Sequence, residues 1–265
     1  MPKTKLRTLT TIAMLIAIGI VLAEIVQISY PPQSPTFIRF SLGYLTIILV
    51  GILFGPVYGT IAGAIQDILG FYVATLLSGV LPWVSAPGAF FIGYTLNAML
   101  YGLLPGLLFR KTFANEERVY AVLSWILSIA MLVGSMVFLF RIDLIRASYL
   151  GLSEKTTIAV ISVIVALMMN VLMFILGKKP KASRPPFKML FSLTILYIVT
   201  SLVLTPIWIV YFYLGHFSTD TFVSFWVLLP IRIVKMPMDI LLYLSVLPRL
   251  LRLSKTALGR EPEAE

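Results

Sequence analysis

Three ionisable side chains share one face of an apolar stretch near the C-terminus, LLPIRIVKMPMDILLYL: Arg232, Lys235 and Asp239 stand at i, i+3 and i+7. Pro230 and Pro237 bracket the two cations, and helical spacing lets Lys235 pair with Asp239 four residues on. Arg232 has no acid at that spacing. A guanidinium in so apolar a setting calls for a carboxylate from another helix, Asp67 or Glu24, or for an anionic ligand. Asp67 closes a charge-free run that begins after Arg39, and in that run Gly55, Gly59 and Gly63 recur at every fourth position ahead of it. Neighbouring helices can approach such a stripe closely. A carboxylate there is costly unless paired or wetted, so it reads as an interior, functional position, with a helix end near water as the plain alternative. A third set, Tyr94, Asn97 and Tyr101 with Thr95 beside them, puts two phenols and an amide on one helix face, to be satisfied by neighbouring helices or by a ligand. The chemistry open to these groups is the capture of a polar or anionic molecule, with Arg39 as a further cation at the mouth.

Nothing here makes or breaks bonds. There is no glycine-rich phosphate loop, no G-x-S-x-G and no metal-spaced histidine cluster, and the lone His216 sits beside Gly215 in a polar loop. With no cysteine the chain has no thiolate nucleophile or thiolate metal site. The expectation is a non-enzyme with no catalytic residue, no metal and no cofactor of its own. Any ATP-driven motor must be another polypeptide.

The elements that carry these residues are membrane spans. The chain has 265 residues, 59% apolar and 12% charged, with a mean hydropathy of +0.99. Apolar runs of about 20 residues cross a bilayer, and eight are read: 9–27, 40–54, 56–77, 88–109, 119–140, 156–177, 188–213 and 222–248. The alternating short strands of a membrane barrel are not seen. The net charge of +10 is explained by topology, not by nucleic acid, because the basic residues lie between the spans. With the N-terminus inside, fifteen basic residues fall on the cytoplasmic side and four outside, which puts both termini in the cytoplasm. Lys3, Lys5 and Arg7 before the first span resemble a signal peptide, but Glu24 and Gln27 stand where a cleavage site belongs, so the span is kept as mature structure. The external connections 27–39 and 78–88 are proline-containing and partly apolar, suited to covering an outward cavity. Trp83 and Tyr30 also fit an interfacial belt. Residues 178–188, KKPKASRPPFK, form a basic cytoplasmic linker that holds topology and touches anionic lipid.

In order and combination, Ala13-Met-Leu-Ile-Ala17, Gly43-Tyr-Leu, Ile52-Leu-Phe-Gly-Pro-Val-Tyr-Gly59, Asp67-Ile-Leu-Gly70, Gly93-Tyr-Thr-Leu-Asn97 with Tyr101-Gly102, and Leu229-Pro-Ile-Arg-Ile-Val-Lys235 resemble the substrate-binding S components of energy-coupling-factor (ECF) vitamin transporters, nearest to the folate-type branch. The resemblance covers residues 9–111 and 188–250. It implies an all-α, polytopic membrane protein with a six-helix S-component core plus two extra transmembrane helices. It implies a subunit that captures a vitamin, folate or a related anion, from outside and topples in the membrane. Its partners would be a transmembrane coupling subunit and two ATPase subunits, which use the ATP. It assigns Ala13 and Ala17 to docking on the coupling subunit, which agrees with their small-residue spacing, and brings Arg232 and Lys235 near the pocket. The substrate-binding set is then Arg39, Asp67, Tyr94, Thr95, Asn97, Arg232 and Lys235.

The expected organisation is core helices 1–4 in residues 1–111, an inserted hairpin and basic linker in 112–187, core helices 5–6 in 188–252 and a polar tail in 253–265. Two other readings compete. A stand-alone secondary transporter driven by protons through Glu24, Asp67 or Asp239 would show inverted repeats, and no convincing internal symmetry is seen. A non-transport scaffold or lipid-handling enzyme lacks, respectively, a reason for surplus buried cations and a catalytic set.

Overall fold

The computed structural model describes residues 3–24, 27–30, 38–78, 90–109, 185–208 and 242–254, with helical residues at 122, 125, 126, 129, 133, 156, 160, 163, 164, 167, 171, 232, 235, 236, 239, 240 and 256. Loop 79–89, His216, Pro230, Pro237, linker residues 178–184 and the tail beyond 256 lie outside the described residues. The chain divides into two compact units, residues 1–111 with 246–263, and residues 112–245 with the last two residues.

The first unit runs α1 (Lys3–Glu24), β1 (Gln27–Tyr30), β2 (Ile38–Ser41), α2 (Gly43–Phe54), α3 (Pro56–Ser78) and α4 (Ile92–Leu108). Its centre is α2, which packs on α1, α3 and α4. Every residue from Leu45 to Val50 is 3% exposed or less, so α2 is covered on all faces. Twelve residues rise about 18 Å, short of the roughly 30 Å of hydrocarbon; α2 serves as a core and needs no lipid face of its own. Ile12 and Ile16 of α1, Val50 of α2 and Ala62 of α3 form a buried apolar cluster at this junction.

At the α2–α3 junction Gly55 adopts φ 112°, a backbone region closed to most L-residues, and Pro56 then opens α3 at the position where its missing N–H costs nothing. The Gly55 N–H bonds to the Gly51 carbonyl at 3.0 Å, and its carbonyl accepts from the Gly59 N–H at 3.0 Å. Large side chains of α3, Val57, Ile61, Ile65, Leu69, Tyr72 and Leu76, are exposed, while its small residues turn inward. Among helices packed in lipid this is the expected arrangement, since oil outside offers no reason to hide apolar bulk, whereas small residues let backbones meet.

The membrane-embedded elements described are helical, as expected. The connection 27–39 is not the loop expected: Gln27–Tyr30 and Ile38–Ser41 pair as an antiparallel ribbon, with Ile28 opposite Phe40, Ser29 opposite Arg39 and Tyr30 opposite Ile38. The pairing matches apolar with apolar and polar with polar residues, the period-two pattern that selects a strand register. Consequently α2 begins at Gly43 rather than near residue 40, and Arg39 belongs to β2 rather than to the end of a helix.

In the second unit α5 (Pro185–Tyr197) continues as a π-helical turn, Ile198–Leu204, before returning to α-helix through residue 208. Pro206 supplies the reason: it brings no N–H and would clash with the carbonyl of the preceding turn, and widening that turn relieves the conflict. The widened turn is marked by the Thr205 N–H and its Oγ1, both donating to the Thr200 carbonyl five residues back, the latter at 2.6 Å. Buried hydroxyls are satisfied locally, Thr194 on the Leu190 carbonyl at 2.7 Å and Thr200 on that of Leu196 at 2.7 Å. Of the segments expected at 119–140 and 156–177, the described residues include Val122, Trp125, Ile126, Ile129 and Val133, then Val160, Ile164, Leu167 and Val171, all exposed at helical spacing. Helices Leu6–Glu24, Pro56–Leu77 and Met189–Trp208 are each long and apolar enough to cross a membrane.

Candidate functional site

The glycine stripe of α3 lies against α4, its antiparallel neighbour, in three steps. Gly59 backs onto Gly102, Gly63 onto the backbone of Ala98 and Met99, and one turn further Asp67 accepts a 2.7 Å hydrogen bond on Oδ2 from Thr95 Oγ1. A Cβ on Gly59 would lie 2.6 Å from the Gly102 carbonyl oxygen and 2.7 Å from the Gly51 Cα, so α2, α3 and α4 meet there backbone to backbone. Gly106 continues the seam 2.8 Å, at its hypothetical Cβ, from the Gly51 carbonyl oxygen and the Pro56 Cα. The seam holds the Asp67 carboxylate and the Thr95 hydroxyl in register.

Asp67 is the twelfth of the 23 residues of α3, about 17 Å along the helix from either end. The alternative of an acid at a helix end therefore falls. Thr95 is buried, Asp67 half-buried, and Oδ1 of Asp67 has no hydrogen bond among the described residues. One turn beyond Asp67, Phe71 meets Phe90 edge-on at 5.3 Å, and Phe91 meets Tyr94 at 5.7 Å. An acceptor oxygen next to aromatic rings is suited to a flat heterocycle that donates hydrogen bonds from one edge.

The structure places the other expected residues as follows. Asn97 is 6% exposed, and Tyr101, on the same face, stacks on Tyr44 of α2 with ring centroids 4.3 Å apart, so that phenol is engaged in helix packing. Ala13 and Ala17 are exposed on α1 beside Leu9, Met14, Ile18 and Val21. In the second unit Lys235 Nζ pairs with Asp239 Oδ2 at 3.1 Å, the i, i+4 contact expected, and Arg232 adds an attractive Coulomb interaction with the same carboxylate. Asp239 is 4% exposed. Lys235 therefore has a counter-charge within its own helix. Among the described residues no group of three metal-ligating side chains forms a cluster.

Gln66, which the sequence did not single out, is 4% exposed and ties three helices together. Its Nε2 donates to the Gly43 carbonyl at 2.9 Å and its Oε1 accepts from Thr46 Oγ1 at 3.0 Å, while Gly19 of α1 packs directly over the amide. A buried amide inside an apolar span was a readable signal, since such a group must find partners. Gly102 and Gly106, four apart, offered another.

Residues 3–180 match the family described as ECF-type riboflavin transporter, S component. The match takes in about two thirds of the chain. The chain belongs to the ECF-type riboflavin transporter S-component family. This S component is thereby a multi-pass membrane protein of a transport family, not of an enzyme family. The matched range takes in residues 112–180, part of the stretch 112–187 expected above as an inserted hairpin and linker. Among curated proteins the S component is 29% identical over 110 residues to Folate transporter FolT of Leuconostoc mesenteroides, covering 42% of this chain and 50% of that protein. It is 27% identical over 115 residues to Folate transporter FolT of Clostridium novyi, covering 43% and 58%. The chain spans about half the length of the curated relatives it matches.

Proposed function

We propose that this chain is the substrate-capturing subunit of an ECF-type vitamin importer, and that its substrate is folate or a close relative. The observation that carries the choice of vitamin is Asp67, held by Thr95 through Oδ2 with Oδ1 open to a ligand. A carboxylate accepts best from two adjacent N–H donors. The amino-pyrimidinone edge of a pterin offers that donor pair, whereas the corresponding edge of a flavin flanks one N–H with two carbonyls, which a carboxylate would repel. The names of the two folate-transporting relatives support the same choice, and the description of the matched family supports riboflavin as the competitor. Purified protein in lipid nanodiscs, titrated with tritiated folate and with riboflavin, separates them: tight riboflavin binding without folate binding would overturn the choice.

In this reading Asp67, Thr95, Asn97 and Tyr94 grip the ring system, and the resemblance adds Arg39, Arg232 and Lys235 as cations for a vitamin's carboxylates. Both termini are cytoplasmic, which puts the ribbon at the outer face. Arg232→Ala is expected to weaken folate binding about tenfold, the worth of one charge-assisted hydrogen bond, read by the same titration. Unchanged affinity in a folded variant would remove Arg232 from the site. It would favour a six-span core within the matched residues 3–180, with 188–252 as the added pair, over a core of 1–111 plus 188–252 with 112–187 inserted.

Transport needs partners. The family supports a coupling subunit and two ATPases that consume the ATP, with release by toppling, and the exposed Ala13 and Ala17 supply a small-residue face for docking. Replacing both with Leu is expected to leave folate affinity within about twofold while abolishing ATP-dependent uptake in reconstituted vesicles. Full uptake without any ATPase, stopped by an uncoupler, would instead support the proton-driven reading.

A further inference from the structure

Two consecutive residues of α3 bond it to two different helices. Gln66 Nε2 donates to the Gly43 carbonyl at 2.9 Å and Gln66 Oε1 accepts from Thr46 Oγ1 at 3.0 Å, so both ends of the amide hold the first turn of α2. Asp67, about 100° further around the helix, accepts from Thr95 of α4 at 2.7 Å. Gln66 is 4% exposed and Gly19 of α1 packs over its amide, so water offers it no substitute partner. Nearer the start of α3 the contacts are of another kind: Gly59 lies against the backbone of Gly51 and Gly102, and Gly63 against that of Ala98 and Met99. Such contacts set how near the helices come. A smooth surface has no preferred rotation, whereas a hydrogen bond does, because it weakens steeply off its line. The Thr95 hydroxyl can swing its hydrogen to suit, so its bond alone lets the carboxylate follow a turn of α3. An atom about 5 Å from the axis moves roughly 1 Å when a helix turns by about 10°, and a binding group has to be held to within about 0.5 Å.

We propose that Gln66 is a positioning residue for the Asp67 carboxylate: by holding α3 on the first turn of α2 it fixes the rotation that presents Oδ1 of Asp67 to the ligand, without touching the ligand itself. This rests on the functional reading above. The amide suits the task because its donor and its acceptor are both engaged by one helical turn, so a rotation of α3 strains the two bonds together. A leucine of similar bulk would fill the space and leave the rotation unset. The loss would then pass through Asp67, with the carboxylate present and charged but misaimed at the donors of the ligand.

A double-mutant cycle tests this, read by equilibrium binding of tritiated folate in nanodiscs. Gln66→Leu is expected to weaken binding about tenfold with Asp67 in place, and by less than about twofold when added to Asp67→Asn. A loss by the same factor in both backgrounds overturns the proposal, because general loosening of the bundle would produce it. Unchanged affinity in Gln66→Leu alone overturns it too. Thr46→Ser, which keeps the hydroxyl on Oε1, is expected to bind as wild type, and Thr46→Val to lose a few-fold, again only with Asp67 present. If Gln66→Leu does not fold, this pair is read by the same criteria. A second cycle needs no vitamin: thermal unfolding of Gln66→Leu, Thr95→Val and the double variant. A misaimed Asp67 already weakens its bond to Thr95, so the double variant should lose less in Tm than the two single losses together. Strict additivity overturns the link. Wild-type protein that binds no folate would count against the functional reading and leave the link from Gln66 to the Asp67–Thr95 contact measured by the second cycle.

Discussion

Asp67→Asn is expected to weaken folate binding by roughly ten- to a hundred-fold, the range spanned by losing a charged acceptor in a desolvated site. The substitution is isosteric and Thr95 Oγ1 can still donate to the amide oxygen, so the seam between α3 and α4 stays closed. What changes is the outer atom: an acceptor oxygen becomes an NH2 donor facing the donors of the ligand. Thr95→Val is the milder companion. It frees Asp67 to rotate, costing orientation but not charge, and a loss of a few-fold is expected. Equilibrium binding in nanodiscs measures both, with thermal unfolding as the check on folding. Asp67→Asn protein that folds and binds folate within about twofold of wild type would take this carboxylate out of the site and with it the argument for a pterin.

Gly102→Leu is expected to yield no monodisperse protein at all. A Cβ at Gly102 would stand on the backbone of Gly59, and no rotamer of a larger side chain can relieve a clash made by the Cβ itself. Gly102→Ala tests the same contact gently: α3 and α4 must part by enough to admit one methyl group, at a cost of about 1–3 kcal/mol. It should also lengthen the Asp67–Thr95 contact and lower folate affinity. Gly70→Ala is the control, because its Cβ would meet only Glu24 Oε1 at an ordinary 3.6 Å. Thermal unfolding in the same detergent should place Gly70→Ala near wild type and Gly102→Ala well below it. Equal stability of the two alanine variants would mean that the seam yields easily and does not hold the site.

Local pattern in the sequence made much of this legible. Runs of apolar residues mark spans because the bilayer demands length and oil, and the stripe Gly59, Gly63, Asp67 marks a face that another helix approaches because only small residues permit it. The Lys235–Asp239 pair follows from helical spacing alone, and the structure has it at 3.1 Å. The ribbon was missed because three prolines between its strands speak for a loop, while four-residue strands carry too short an alternation to outweigh them. The π turn was missed for a related reason: Pro206 announces that a helix must yield there, not how it yields.

The sequence by itself determined the solvent this chain lives in and the S-component resemblance, since each of these is a property of composition and order. Only the tertiary structure decided which side chain each polar group meets. Asp67 accepts from Thr95 of the neighbouring helix; Tyr101 could have faced a ligand and instead stacks on Tyr44; Gln66 drew no notice until three helices closed around it. The physical reason is that a buried polar group must be satisfied, but the partner is set by which helices the small residues allow to touch, and those contacts are far apart along the chain.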